Sequence, residues 1–118
     1  MISVCFIEDN PSYKDVLITF LKKTEDITVL FSGSPLGDLP EIIKLMPAVV
    51  IMNVNLGKES ATEGIYQLKE ALPDTKVIIL TELKEEETIF SALKTGAVGY
   101  LLKNDPPQKI LEAIRSVY

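Results

Sequence analysis

The sequence predicts a doubly wound α/β fold, a parallel sheet held between two layers of helices. Three observations carry that prediction. Apolar strand-like runs alternate with amphipathic helical stretches along the whole chain. The run Ala48-Val49-Val50-Ile51-Met52 is apolar without a break, the pattern of a strand covered on both faces. Finally, 118 residues make one domain, 1–118, large enough for a core and too small for two.

The elements follow in order. Ile2 to Ile7 is a first strand, cut short by Glu8-Asp9-Asn10-Pro11. Asn10 can cap a helix and Pro11 can open it, because the first helical N–H has no partner to lose. From Tyr13, the residues Val16, Leu17, Phe20 and Leu21 form an apolar face, so the helix runs to about Lys23. Ile27 to Phe31 is a second strand, followed by a turn at Ser32-Gly33-Ser34-Pro35. Leu39 to Leu45 is a short helix with Asp38 as its cap, and the central strand comes next.

Beyond Leu56, Gly57 to Thr62 reads as a polar loop leading to a helix that ends near Leu72, with Ile65, Leu68 and Leu72 inward. Pro73-Asp74 breaks it, and Lys76 to Thr81 is a fourth strand. Glu85 to Thr95 is a helix with Ile89, Phe90 and Leu93 inward, ended by Gly96 in a left-handed conformation. Val98 to Leu102 is the fifth strand. Pro106-Pro107 opens a last helix with Ile110, Leu111 and Ile114 on its inner face. Right-handed crossovers leave few arrangements of five such units, and the flavodoxin-like order 2-1-3-4-5 is the one expected at this size.

Composition narrows the chemistry. There is no histidine, which removes the commonest general base and transition-metal ligand. The single cysteine, Cys5, has no internal partner and reads as a small buried hydrophobe. A net charge of −5 argues against direct contact with nucleic acid. No apolar stretch is long enough to span a bilayer and the start lacks a basic leader, so the expectation is a cytoplasmic protein with no membrane contact.

In a sheet of this kind the working groups lie just beyond the carboxyl ends of the strands. Those ends carry Glu8 and Asp9, Asn53, Thr81 and Lys103. Adjacent strands are about 4.8 Å apart, so the side chains can share one pocket. Two carboxylates with no soft ligand suit a hard cation such as Mg²⁺. A lysine and a hydroxyl opposite suit the oxygens of a phosphoryl group. Taken singly, each residue has a plainer reading. Glu8 and Asp9 suit a helix N-terminus, Thr81 a cap, Lys103 a solvated charge, Tyr100 half-buried packing, and Asn53 a strand terminator.

Together, these residues resemble the receiver domain of two-component response regulators. The likeness rests on Glu8-Asp9, on Val49 to Leu56, on Thr81 after Val77-Ile78-Ile79-Leu80, and on Gly96-Ala97-Val98-Gly99-Tyr100-Leu101-Leu102-Lys103. Leu-Leu-Lys resembles the branch whose receivers precede helix-turn-helix DNA-binding domains. The resemblance implies Mg²⁺ held by Glu8, Asp9, the residue at Asn53 and the backbone carbonyl of Asn55. It implies phosphate contacts from Thr81 and Lys103, and a switch made by Thr81 and Tyr100. The implied partners are a histidine kinase or other signalling protein, a C-terminal DNA-binding domain absent from this chain, and a second copy in a homodimer.

The main departure is Asn53, where the family has the aspartate that takes the phosphoryl group. A carboxamide cannot attack phosphorus to give an acyl phosphate, so the chain is expected not to be an enzyme or a phosphoacceptor at this position. One anion fewer should also weaken Mg²⁺ binding. The loop 57–63 is longer than usual, Glu82 adds negative charge at the rim, and Asn104 replaces a frequent proline. The resemblance implies a cis bond before residue 104, which without proline costs roughly 3 kcal/mol. Two accounts of Asn53 follow. In one, the receiver naturally lacks an acceptor and acts as an interaction module through the helix 85–95, fifth strand and last helix, with Tyr100 outward. In the other, Asn53 is an Asp→Asn variant of an ordinary phosphorylatable receiver. A third class, a flavin-binding electron carrier, would need a phosphate cradle after the first strand, where Glu8-Asp9-Asn10-Pro11 places negative charge instead.

Overall fold

A computed structural model of the chain describes residues 1–8, 10–33, 39–53, 60–82 and 86–118. Five parallel strands lie in the order β2-β1-β3-β4-β5, flavodoxin-like as expected. The chain runs β1 (Ile2–Ile7), α1 (Pro11–Lys22), β2 (Ile27–Gly33), α2 (Leu39–Leu45), β3 (Val49–Asn53), α3 (Ser60–Ala71), β4 (Lys76–Thr81), α4 (Glu86–Thr95), β5 (Gly99–Leu102) and α5 (Pro107–Val117).

Strand side chains alternate between two cores, which explains why the central strands read as continuous apolar runs. Cys5, Ile7, Val50, Met52, Val77 and Ile79 meet α2, α3 and α4 through Leu39, Ile42, Ile65, Leu68, Ile89 and Ala92. Val4, Phe6, Val49, Ile51, Ile78 and Leu80 meet α1 and α5 through Leu17, Leu21, Ile110, Leu111 and Ile114. Each Val, Leu, Ile, Phe or Met side chain buried in this way contributes about 1.5–3 kcal/mol, so the sheet is fixed firmly beneath whatever its strand tips carry.

Local signals set the helix ends. The Asn10 side-chain oxygen accepts the Tyr13 N–H at 3.1 Å, and Pro11 opens α1. Gly96, at φ 138°, closes α4 where a Cβ would meet the Lys69 chain at 2.9 Å. The opposite edge of the sheet is tied by Thr75, whose hydroxyl donates to the Pro47 carbonyl at 2.7 Å, and by Lys69, whose ammonium donates to the carbonyls of Pro73 and Thr75. Arg115 on α5 donates twice to Asp26, at 2.7 and 2.9 Å.

Several expectations need correction. Val16 is 63% exposed, because the inner stripe of α1 is Tyr13, Leu17, Phe20 and Leu21, and Val16 lies about 40° beyond its Phe20 edge. On α4 the inward residues are Ile89 and Ala92, whereas Phe90 is 62% and Leu93 38% exposed. The small Ala92 lets the helix approach the sheet, and the larger neighbours turn out. Strand β2 continues through Ser32 and Gly33, which had the composition of a turn. Helix α3 begins at Ser60, inside the stretch expected as loop, and β5 begins one residue after Val98. The bond between Lys103 and Asn104 is trans, as are all peptide bonds among the described residues. The Asp38 cap, Ser34-Pro35 and loop residues 57–59 lie outside the described residues.

Between β1 and β2 the register slips by one, from Val4 opposite Val29 to Cys5 opposite Phe31. The slip is a bulge in the outer strand β2 around Leu30.

Candidate functional site

The parallel register brings four of the residues singled out above to one edge of the sheet. Ile7 lies opposite Met52, so Glu8 and Asn53 follow at the same level, and Asn53 is opposite Leu80. Thr81 ends β4 opposite Leu102, and the Lys103 N–H donates to the Thr81 carbonyl at 2.8 Å. Glu8, Asn53 and Thr81 are buried, at 1%, 2% and 2% exposure.

The side chains converge as well. Lys103 Nζ donates to Glu8 Oε2 at 2.7 Å, although β3 and β4 lie between their strands. The same oxygen accepts the Asn10 N–H at 2.8 Å. Glu82 Oε1 lies 3.8 Å from the ammonium on the exposed rim, as its position after β4 implied. Tyr100, on β5, is 39% exposed. Asp9 and Asn55 lie outside the described residues.

One member was not foreseen. The Tyr13 ring lies beneath Lys103, its centroid 5.0 Å from Nζ. Sequence reasoning had used Tyr13 only to start the apolar face of α1. Its position does carry a signal, since the first turn of a helix that leaves a strand tip faces the neighbouring tips. Burial, and secondarily the charges of Glu8 and Asp105, push the Tyr13 phenol up to about 12.

Among the described residues, no three acidic, cysteine or histidine side chains gather into a metal-binding group. The test of fit therefore falls on Glu8. Among the described residues its Oε1 is buried without a hydrogen-bond partner, and such a carboxylate oxygen is a suitable donor to a hard cation. The amide of Asn53 carries a neutral oxygen at the same level, and oxygen donors are the class a hard cation such as Mg²⁺ takes.

A buried acid and a lysine thus meet above the strand tips of a 2-1-3-4-5 sheet. Residues 4–115 match the response regulator receiver domain family, and the chain belongs to it. It is 36% identical over 98% of its length to the uncharacterized transcriptional regulatory protein YxjL of Bacillus subtilis, covering 53% of that protein. It is 31% identical over 98% of its length to the oxygen regulatory protein NreC of Staphylococcus haemolyticus, covering 54% of it. The chain thus spans about half the length of these curated relatives. Among solved structures, a DNA-binding response regulator of the LuxR family from Staphylococcus aureus shares the fold. Its TM-score is 0.89 at 22% identity, over 99% of this chain and 98% of that one. No helix among the described residues is long and apolar enough to cross a membrane.

Proposed function

We propose that this receiver carries Asn53 in the phosphoacceptor position and signals as an interaction module without being phosphorylated there. The observation that carries the reading is the position of Asn53. It ends β3, is 2% exposed, and stands level with Glu8 in the pocket that Lys103 enters. Its amide nitrogen shares its lone pair with the carbonyl and its oxygen bears no full charge, so neither atom forms a stable bond to phosphorus.

The other roles follow from position. Glu8 and Asp9, with the Asn53 amide oxygen and the Asn55 carbonyl, would hold Mg²⁺. That ion would supply positive charge to anionic oxygens brought to the pocket. Thr81 and Lys103 would contact such oxygens, and Thr81 and Tyr100 would form the switch. The exposed Tyr100 supports the inactive arrangement, since nothing at Asn53 supplies the several kcal/mol needed to invert a lopsided equilibrium. Output would leave through α4, β5 and α5, where Phe90, Leu93, Val98 and Tyr100 are exposed. The partners would be a histidine kinase or another signalling protein in the cytoplasm, a DNA-binding domain joined after α5, and a second copy of the chain. The domain itself would not bind DNA and would not be an enzyme.

The retained Glu8, Thr81 and Lys103 favour a second reading, an ordinary phosphorylatable receiver in which Asn53 replaces aspartate. One experiment separates the two. The chain and its Asn53→Asp variant are incubated with Mg²⁺ and acetyl phosphate, and phosphorylation is read by intact mass. In the variant a carboxylate oxygen attacks phosphorus and acetate leaves. Labelling of the variant alone shows that the remaining machinery is competent and supports the second reading. Labelling of neither favours the interaction module. An acyl phosphate at position 53 of the unaltered chain would refute both.

A further inference from the structure

Lys69, near the end of α3, spans two turns at the edge of the sheet opposite the strand tips. Its ammonium donates to the carbonyls of Pro73 at 2.9 Å and Thr75 at 2.8 Å, in the turn that leads into β4. Its stem lies against Gly96, where a Cβ would come within 2.9 Å of Lys69 Cγ and 3.6 Å of Cδ. Gly96 closes the turn from α4 to β5 at φ 138°, a backbone form that residues with a Cβ rarely adopt. One side chain thus touches both the entry to β4 and the exit from α4. We propose that Lys69 is a positioning residue for the output face, a tie that holds the Gly96 end of α4 against the α3–β4 turn, so that α4 rearranges by rocking about that end. This inference rests on reading α4 and β5 as part of the receiver's output surface.

The two ends of α4 are held differently. The helix follows β4, so it starts beside the strand tips and finishes at the opposite edge. At that far end the Gly96 N–H donates to the carbonyls of Ala92 and Leu93, and the Ala97 N–H donates to Ala92 at 3.0 Å. Ala92 and Ala97 share the same core, which completes a Schellman closure. The Val98 N–H then crosses to the Val77 carbonyl of β4 at 2.8 Å. The turn to which Lys69 is fastened is itself anchored, because the Thr75 hydroxyl donates to Pro47 and the Lys76 N–H to Ala48 at 2.9 Å. Hydrogen bonds from an ammonium are stronger than those between neutral groups, so the lysine joins two fixed turns firmly. Towards the strand tips the helix has a lighter hold, since Ile89 and Ala92 are the buried side chains among the described residues of α4.

The test is native-state amide hydrogen exchange, followed by NMR in the full chain and two variants. Lys69→Met keeps a stem and removes the bonds to the carbonyls, and Lys69→Ala removes both. In the unaltered chain the amides of Gly96, Ala97 and Val98 should be better protected than those of Phe90 and Ser91. Lys69→Met should lower protection at Thr75, Gly96, Ala97 and Val98 by about tenfold, with Phe90 and Ser91 changed less than about twofold. Lys69→Ala should lower it further at the same positions. Amides of β1 and β3 report the global stability against which these changes are measured. A fall of equal size everywhere would show that Lys69 adds only to overall stability and would overturn the proposal. Unchanged protection at the Gly96 end, or better protection at Phe90 and Ser91 in the unaltered chain, would overturn it as well. The Tyr100 ring resonances, on the strand that this turn feeds, should shift in both variants. The expected exchange pattern with Tyr100 unmoved would leave the tie standing and count against the output reading instead.

Discussion

Only a tenth of the Lys103 side chain meets water, and its Glu8 partner meets almost none. A pair so placed repays its desolvation only through close geometry and further hydrogen bonds. The 2.7 Å contact and the Asn10 N–H supply both. A double-mutant cycle of Glu8→Gln and Lys103→Met should therefore return a coupling of about 1–3 kcal/mol in urea unfolding. A coupling near zero would show that the pair does not hold the strand tips together. Asn10 has a separate, local effect. Asn10→Ala should cost about 1 kcal/mol through the lost α1 cap, while its backbone N–H keeps its bond to Glu8. At this scale much of the site was legible. The alternation of strands and helices fixes which residues stand at strand tips, so Glu8, Asn53, Thr81 and Lys103 were found without coordinates. Tyr13 was missed because an aromatic ring in an amphipathic first turn looks like packing, and spacing alone does not show a charge above it.

Helix α4 shows where periodicity stops being sufficient. Ile89, Phe90 and Leu93 are compatible with one broad apolar face, and sequence reasoning turned all three inward. The sheet instead accepts Ile89 and Ala92, and the Lys94 ammonium lies 5.5 Å from the outward Phe90 ring. The large residues were the stronger signal in the sequence, but the space beneath the helix favours the small one. Unfolding experiments should reflect this difference. Ile89→Ala should cost about 2–4 kcal/mol, and Phe90→Ala less than about 1 kcal/mol, because its ring already meets solvent. Equal costs would mean that Phe90 is packed in solution. Helix α1 repeats the lesson with Val16, whereas α5, with Ile110, Leu111 and Ile114 all buried, was read correctly because its apolar stripe is narrow.

Across the whole molecule, two titrating groups make stability depend on pH at opposite ends of the scale. Burial raises the Cys5 thiol from 9.0 to about 11. A group whose folded value is raised stabilises the fold fully below its unfolded value, so this contribution is present below about pH 9 and is lost as pH rises towards 11. Cys5→Ala should flatten the decline in melting temperature over that interval, and native Cys5 should resist alkylation at pH 8. At the acid end the Arg115 hydrogen bonds lower the Asp26 carboxyl. The resulting stability is present above the ordinary value of 3.8 and fades as pH falls below it. Salt should weaken that exposed pair, which Arg115→Ala would show by removing the difference between low and high ionic strength. The order of the sheet was legible because crossover handedness leaves few choices, but the slip opposite Val4 and Cys5 was not, since nothing in a run of β-formers marks one extra residue. That slip has a bearing on how copies of the chain meet. An outermost strand with an unbroken row of amide and carbonyl groups invites a neighbour to extend the ladder, and a kink spoils the match. The β2 edge of this receiver should therefore be a poor template for a neighbouring strand, whereas β5, the other outermost strand, carries no such slip.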